Sequence, residues 1–453
     1  MPFAEQAMRE RASAVLLALA ASLLVACGGG SSSSTTTLCR DAAVCVAQEV
    51  VQATPTGPNT TEIVVDSGPG FGLGVTNVPY VTVRVCNPGS TSACVTVDHV
   101  LLDTGSYGLR VLKSALPGLT LPPVAMAANT ATGTAAGNVA ECYPFVISAV
   151  WGPLVTADVQ IGGEQALNIA VHVIDDGSPT SPAVPAACTS SGGLANSASQ
   201  LQAHGILGIG VVGVDCGLTC ESVAAQGMTA VYYTCPTSGA GCSPAAVPSA
   251  VQVQNPVAKF ERNSNGTWDN NGTMIVMPAL PDLGAVTARG RLVFGIGTQT
   301  NNQLPAMANL YELVVDPTRT DYLSVSVLVG SRSYAQSYID SGANGLFFED
   351  TALPRVCTVN GGVQGEWYCP ASTSRRPATL TDKAGRVSPA FDLVVANADT
   401  LFNTGAVAFG NLAGSVGQGA DTVALGLPFF YGRTVYTAIW GGSLSLNGPW
   451  YSF

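Results

Sequence analysis

Short runs in which apolar and polar residues alternate recur along most of this chain, and turn residues separate them. Tyr80 to Val85 (YVTVRV) and Val95 to Leu102 (VTVDHVLL) are two such runs, with Asn87-Pro88-Gly89 between them. A period of two is the signature of a strand with one buried face, and Asn-Pro-Gly is turn chemistry. Val155 to Ile161, Gly205 to Gly210 (GILGIG), Arg291 to Gly297 (RLVFGIG), Leu323 to Val329, Ser333 to Ile339, Val423 to Phe430 and Thr434 to Trp440 read as further strands. Gly177 to Ala198 reads as coil, and Cys235 to Asn271 is rich in Pro, Ser, Gly and Asn. The pattern predicts an all-β chain with few, short helices, divided near residue 260 into a first lobe over 51–260 and a second over 261–453.

Composition supports this. The 453 residues are 47% hydrophobic and only 10% charged, with 51 glycines and 28 prolines to supply turns. Net charge is −11, so no basic patch exists for a phosphate backbone and a nucleic-acid partner is not expected.

The N-terminus reads as an address. Arg9 and Arg11 precede the apolar run Ala14 to Ala26, the order of an export signal over 1–26. Leu24-Val25-Ala26-Cys27 resembles the bacterial lipobox. By that resemblance Cys27 would be lipidated and would lead the mature chain. Residues 27–50 follow as a tether, in which Gly28 to Thr37 is a flexible Gly/Ser/Thr segment. No later run approaches the roughly 20 apolar residues of a spanning helix. The expectation is a monomeric body, exported and held to the outer membrane through lipid alone.

Thirteen cysteines leave twelve once Cys27 is set aside, an even number that fits disulfides in an exported chain. Five pairs are close in sequence: 39/45, 86/94, 216/220, 235/242 and 357/369. Spacing alone does not fix the connectivity. His99, His172 and His204 show no ligand spacing with the cysteines, so no metal or other cofactor is expected. His99 beside Asp98, and His204 before GILGIG, read as structural. Asn59, Asn265 and Asn271 open Asn-x-Thr triplets and read as surface turn residues.

Two segments share one plan. Val100 to Leu109 (VLLDTGSYGL) and Ser337 to Leu346 (SYIDSGANGL) each run apolar residues into Asp-(Thr/Ser)-Gly, then Gly-Leu. Each is followed by an apolar-Leu-Gly strand, Ile206-Leu207-Gly208 and Ala424-Leu425-Gly426. This is the layout of a diverged duplication with one Asp turn per half. Two carboxylates held together cannot both ionise easily, so they keep one proton between them, and one can activate water while the other donates. Glycine after the Asp turn lets backbone approach the carboxylate.

These residues resemble the pepsin-like aspartic peptidases, and the resemblance covers nearly all of the chain past residue 75. Asp103-Thr104-Gly105-Ser106 matches the family's first Asp turn, Asp340-Ser341-Gly342 its second, and Leu425-Gly426 through Phe429 to Tyr436-Thr437 its C-terminal segment. The resemblance implies a two-lobed acid-protease fold with a cleft between the lobes. It implies Asp103 and Asp340 as the catalytic pair, framed by Thr104, Gly105, Ser106, Ser341 and Gly342, and a peptide or protein substrate. It also implies a flap hairpin with an aromatic near its tip just before Val159, for which Trp151 is the first candidate and Tyr143 the second. Three positions depart from the family pattern: Ala343 stands where many members carry Thr or Ser, Arg110 where the first lobe often has Trp, and the flap lacks Tyr-Gly-x-Gly. Ile63 to Gly68 (IVVDSG) repeats the Asp-Ser-Gly pattern, but Pro69-Gly70 follows, so Asp66 reads as a turn residue.

Overall fold

A computed structural model describes residues 33–36, 46–70, 75–145, 148–177, 181–189, 193–226, 230–236, 241–315, 323–355, 357, 367–417, 419–441 and 448–453. The strands that matter below are β1 (Ala47–Gln52), β2 (Thr60–Val65), β3 (Pro79–Cys86), β4 (Cys94–Asp103), β5 (Tyr107–Leu112), β6 (Gly137–Pro144), β7 (Ala149–Ile161), β8 (Glu164–Ile174), β9 (Gly205–Ile209), β10 (Gly272–Val276), β11 (Ala285–Phe294), β12 (Leu323–Val329), β13 (Arg332–Ile339), β14 (Leu346–Phe347), β15 (Ala424–Leu425) and β16 (Thr434–Ala438). Helix among the described residues amounts to single turns such as Ala198–Leu201, Ala398–Phe402 and Leu427–Phe430. The fold is all-β, as the alternation of the sequence demands, and its strands divide between a larger and a smaller sheet.

Strand β4 shows how the pattern makes the structure. Val97, Val100 and Leu102 are buried, and the exposed or half-buried residues lie between them. Each such side chain contributes about 1.5–3 kcal/mol when removed from water. The strand pairs with β3 across the 86–94 turn, which a disulfide closes.

The two Asp turns lie in different sheets. Asp103 ends β4 in the larger, 18-stranded network, and Asp340 follows β13 in an 8-stranded sheet of the second half. The halves are stitched by β11, which pairs parallel with β1 and antiparallel with β2 and β10. Residues 47–65, expected within the first lobe, therefore pair across the expected boundary near 260. Ser33–Thr36, expected in a flexible tether, pairs antiparallel with residues 49–52.

Asn59 and Asn271, expected on the surface, are buried and hold the end of β11. Asn59 Nδ2 donates to the Phe294 carbonyl at 2.8 Å, and Asn271 exchanges hydrogen bonds with the Ile296 backbone at 2.8 and 3.0 Å. A buried amide that satisfies both partners suits a strand end, where the ladder leaves backbone groups unpaired.

Disulfides join 86/94, 142/188, 216/220, 235/242 and 357/369. Cys39 and Cys45 lie outside the described residues, as do Cys27 and residues 1–26. Several disulfides indicate an exported, oxidising setting. Among the described residues no helix is long and apolar enough to cross a membrane.

Candidate active site

Each Asp turn is built by a strand threaded between the arms on either side of it. β9 runs parallel to β4, with Gly208 opposite Asp103, and antiparallel to β5, with Ile209 opposite Tyr107. In the second half β15 does the same: Leu425 pairs with Ile339 of β13 and with Leu346 of β14. The duplication read in the sequence is thus a duplication of topology. The apolar-Leu-Gly strand holds each Asp turn from behind.

The two turns meet in mirror image. The Thr104 N–H donates to Ser341 Oγ at 3.1 Å, and the Ser341 N–H donates to Thr104 Oγ1 at 2.9 Å. Each hydroxyl then donates to a backbone carbonyl on the far side, Thr104 Oγ1 to Ile339 at 3.3 Å and Ser341 Oγ to Leu102 at 2.7 Å. All four bonds are buried. Every polar group in the grip has a partner, the condition under which a buried network rigidifies.

This grip sets the carboxylates face to face. A Cβ placed on Gly105 would lie 2.6 Å from Asp340 Cγ, and one on Gly342 would lie 2.7 Å from Asp103 Oδ1. Only glycine fits between the facing turns. The Gly105 N–H donates to Asp103 Oδ1 and the Gly342 N–H to Asp340 Oδ1, both at 2.8 Å. Ser106 Oγ adds a hydrogen bond to Asp103 Oδ2 at 2.5 Å. Ala343 stands at the matching place beside Asp340 and offers no hydroxyl. Burial first, then the charge of Asp103 and a hydrogen bond with it, push the Asp340 carboxyl well above the usual carboxylate range. Such a pair keeps one proton. Asp103 is 7% exposed and Asp340 is half-buried, so the pair is reachable from solvent.

The hairpin of β6 and β7 carries both flap candidates, Tyr143 and Trp151. Its register pairs Tyr143 with Val150 and Cys142 with Trp151, so the two aromatics point to opposite faces. Trp151 is fully buried, packs edge-on against Tyr233 and donates its indole N–H to the Pro182 carbonyl at 2.8 Å. The first candidate for the cleft aromatic is therefore a core residue. Tyr143 lies on the other face, within electrostatic reach of Asp103.

Beneath Tyr143 lies a buried polar cluster that the sequence did not reveal. Arg110, on β5, grips Glu141 of β6 through two nitrogens at 2.7 and 3.1 Å, reaches Asp215 at 3.3 Å and donates to the Tyr107 carbonyl at 2.7 Å. Its guanidinium lies 3.6 Å from the centre of the Tyr143 ring. His172 on β8 approaches Glu141 at 2.6 Å, and the Tyr232 hydroxyl donates to Asp215 at 2.8 Å. Burial pushes the Asp215 carboxyl well up, with Glu141 adding to it. Burial also opposes the Glu141 charge, but Arg110, Asp215 and His172 together outweigh it and hold that carboxyl below the usual range. Burial lowers His172. The cluster is thus one Arg–Glu ion pair in surroundings that disfavour charge on Asp215 and His172. The Tyr107 carbonyl and Asp215 take further N–H groups of Arg110, which helps offset the cost of burying the pair. Arg110 points into this cluster and not between Asp103 and Asp340.

Asp66 sits in the turn after β2, where its Oδ1 accepts the Gly68 N–H at 2.9 Å. It takes no part in the facing pair.

In sequence, no curated protein matches the chain. Among solved structures, an aspartic proteinase from Irpex lacteus is 14% identical, with 87% of this chain and 96% of that chain covered and a TM-score of 0.43. Basic 7S globulin from soybean is 10% identical, with 88% and 94% covered and a TM-score of 0.42. These are distant likenesses, and the two-lobed fold stands on the strand pairing and the two Asp turns themselves. A family model described as "Protein of unknown function (DUF3443)" matches residues 55–453, and the chain belongs to that family.

Proposed function

We propose that this protein is an exported lipoprotein with aspartic-endopeptidase chemistry, in which Asp103 and Asp340 share a proton and activate one water. The observation that carries the proposal is the mirror-image grip of Thr104 and Ser341, which sets two carboxylates face to face with only glycine between them.

The residues divide the work. Asp340, whose carboxyl is pushed up, holds the proton. Asp103, steadied by the Gly105 N–H and Ser106 Oγ, accepts a proton from water as the water oxygen bonds to the peptide carbonyl carbon. The carbonyl electron pair moves to its oxygen, which takes the Asp340 proton. As the C–N bond breaks, the leaving nitrogen takes the proton now on Asp103, and Asp340 recovers one from the diol. No metal enters these steps. An extended peptide would lie between the lobes and pair as a strand with the β6–β7 hairpin. Cys27, lipidated after removal of residues 1–26, would hold the body to the envelope.

One observation favours a second reading. Ala343 leaves Asp340 without the hydroxyl that Ser106 gives Asp103, as a cleft that binds a peptide or envelope polymer without cutting it would tolerate. Incubation with a mixed, unfolded protein from about pH 3 to pH 7, with and without a statine-type inhibitor, separates the two. Acid-dependent cleavage blocked by the inhibitor supports the peptidase. Absence of cleavage at every pH from folded protein sinks it. Palmitate labelling that is lost in Cys27→Ser tests the anchor.

A further inference from the structure

Strand β4 is interrupted just before it reaches Asp103. Val97 pairs with Val83 of β3 and Val100 pairs with Val81, so Asp98 and His99 together face Thr82. This is a β-bulge, two residues against one. His99 takes φ +46, in the left-handed region that is uncommon for residues other than glycine. Of the four described non-glycine residues with positive φ, a second, Gln202, lies beside the same place and accepts the Tyr80 hydroxyl at 2.5 Å. The bulge breaks the alternation that would send Asp98 and His99 to opposite faces.

His204 arrives at this spot from just ahead of β9. Its Nδ1 lies 3.0 Å from Asp98 Oδ1, and its ring centre is 6.1 Å from that of His99. Single donor atoms of Asp98, His99 and His204 all fall within 4.8 Å of one another. A tetrahedral ion with bonds of about 2.1 Å needs donors about 3.4 Å apart. Two of the chain's three histidines are here, although 105 residues separate them (204 − 99).

The state of His99 points to a ligand. Its Nδ1 is buried and makes no hydrogen bond. Its Nε2 lies 3.4 Å from Asp66 Oδ2, and Asp66 is fixed in turn by the Gly68 N–H at 2.9 Å. Asp98 Oδ2 lies at the same distance, 3.4 Å, from Nδ1, so the His99 ring sits between two carboxylates. A cation between Nδ1 and Asp98 satisfies both.

We propose that Asp98, His99 and His204 bind one divalent transition-metal ion of the zinc class, with Asp66 orienting His99 and water in the remaining position. A His₂Asp set suits such an ion better than calcium or magnesium, which take oxygen donors. The side chains of His99, His204 and Asp66 are 24–29% exposed and that of Asp98 is 64% exposed, so an ion can enter. The ion would tie β4 to the segment leading into β9, the two parallel strands that hold the Asp103 turn.

The test uses the full-length chain, stripped with EDTA and titrated with Zn²⁺ by calorimetry and with Co²⁺ by its visible absorption. One ion per chain is expected, with a rise in Tm on Zn²⁺ addition. Binding falls on acidification through the imidazole range. Asp98→Asn, on an exposed side chain outside the core, and His204→Asn each remove saturable binding and the Tm response. Asp66→Asn weakens binding about 10- to 100-fold. Absence of stoichiometric binding to the wild-type chain overturns the proposal. So does binding that survives unchanged in Asp98→Asn and His204→Asn proteins whose circular dichroism matches wild type.

Discussion

Thr104 and Ser341 each donate a backbone N–H to the other's hydroxyl, at 3.1 and 2.9 Å, across the line between the two lobes. Neither half can make this arrangement alone. It joins cross-lobe stability to the placement of the carboxylates, so one substitution should disturb both.

Thr104→Val removes a hydroxyl and leaves the buried Ser341 N–H without its acceptor. Leaving a buried donor unpaired costs about 1–3 kcal/mol. Urea unfolding should show that loss, and cleavage should fall with it. Unchanged stability would mean that the grip is not formed in solution.

Gly105→Ala is a sharper test of geometry. The new Cβ would sit 2.6 Å from Asp340 Cγ, so the carboxylates must move apart. The protein should still fold, because the clash is local, but a statine-type ligand should bind far more weakly by calorimetry. Wild-type affinity would contradict the face-to-face arrangement.

The pair also predicts how stability follows pH. The folded Asp340 and Asp215 carboxyls are both raised above the ordinary 3.8. A raised folded pKa gives a contribution that is full below that ordinary value and lost as pH climbs through the raised one. Glu141, held low by Arg110, Asp215 and His172, works oppositely: its contribution is present above the ordinary 4.5 and is lost only in strong acid. Tm should therefore fall from about pH 4 toward neutrality. Asp340→Asn, which cannot ionise, should flatten that slope and raise Tm at neutral pH. Equal slopes for the two proteins would rule out a raised Asp340.

The two hairpin aromatics should separate by phenotype. Trp151→Ala empties a fully buried site and should cost about 3–5 kcal/mol in denaturant unfolding. Tyr143→Ala should leave stability nearer wild type and lower kcat/KM for peptide cleavage. The reverse pattern would place Trp151 over the cleft.

Much of this was legible in the sequence because it is local. Alternating runs give strands, and the repeated Asp-(Thr/Ser)-Gly with its apolar-Leu-Gly strand gives the paired turns. The misses share a cause: they depend on register between distant segments. Trp151 ranks ahead of Tyr143 as flap aromatic until the pairing of Trp151 with Cys142 and of Tyr143 with Val150 assigns their faces. Arg110 reads as an oddity until Glu141, His172 and Asp215 arrive from three other segments. The β4 bulge did leave a trace. Apolar positions Val95 and Val97 are odd-numbered, whereas Val100 and Leu102 are even, and the phase changes at Asp98-His99. A bulge produces that slip, and it is the signal that could have drawn attention to His99.

The most direct measurement is cleavage of an unfolded protein substrate near pH 4 by wild-type protein, Asp103→Asn and Asp340→Asn, each shown to be folded by circular dichroism. A shared proton on two carboxylates predicts cleavage by wild type and none by either variant. Undiminished cleavage by both variants, or none by wild type at any pH from about 3 to 7, would contradict catalysis by this pair.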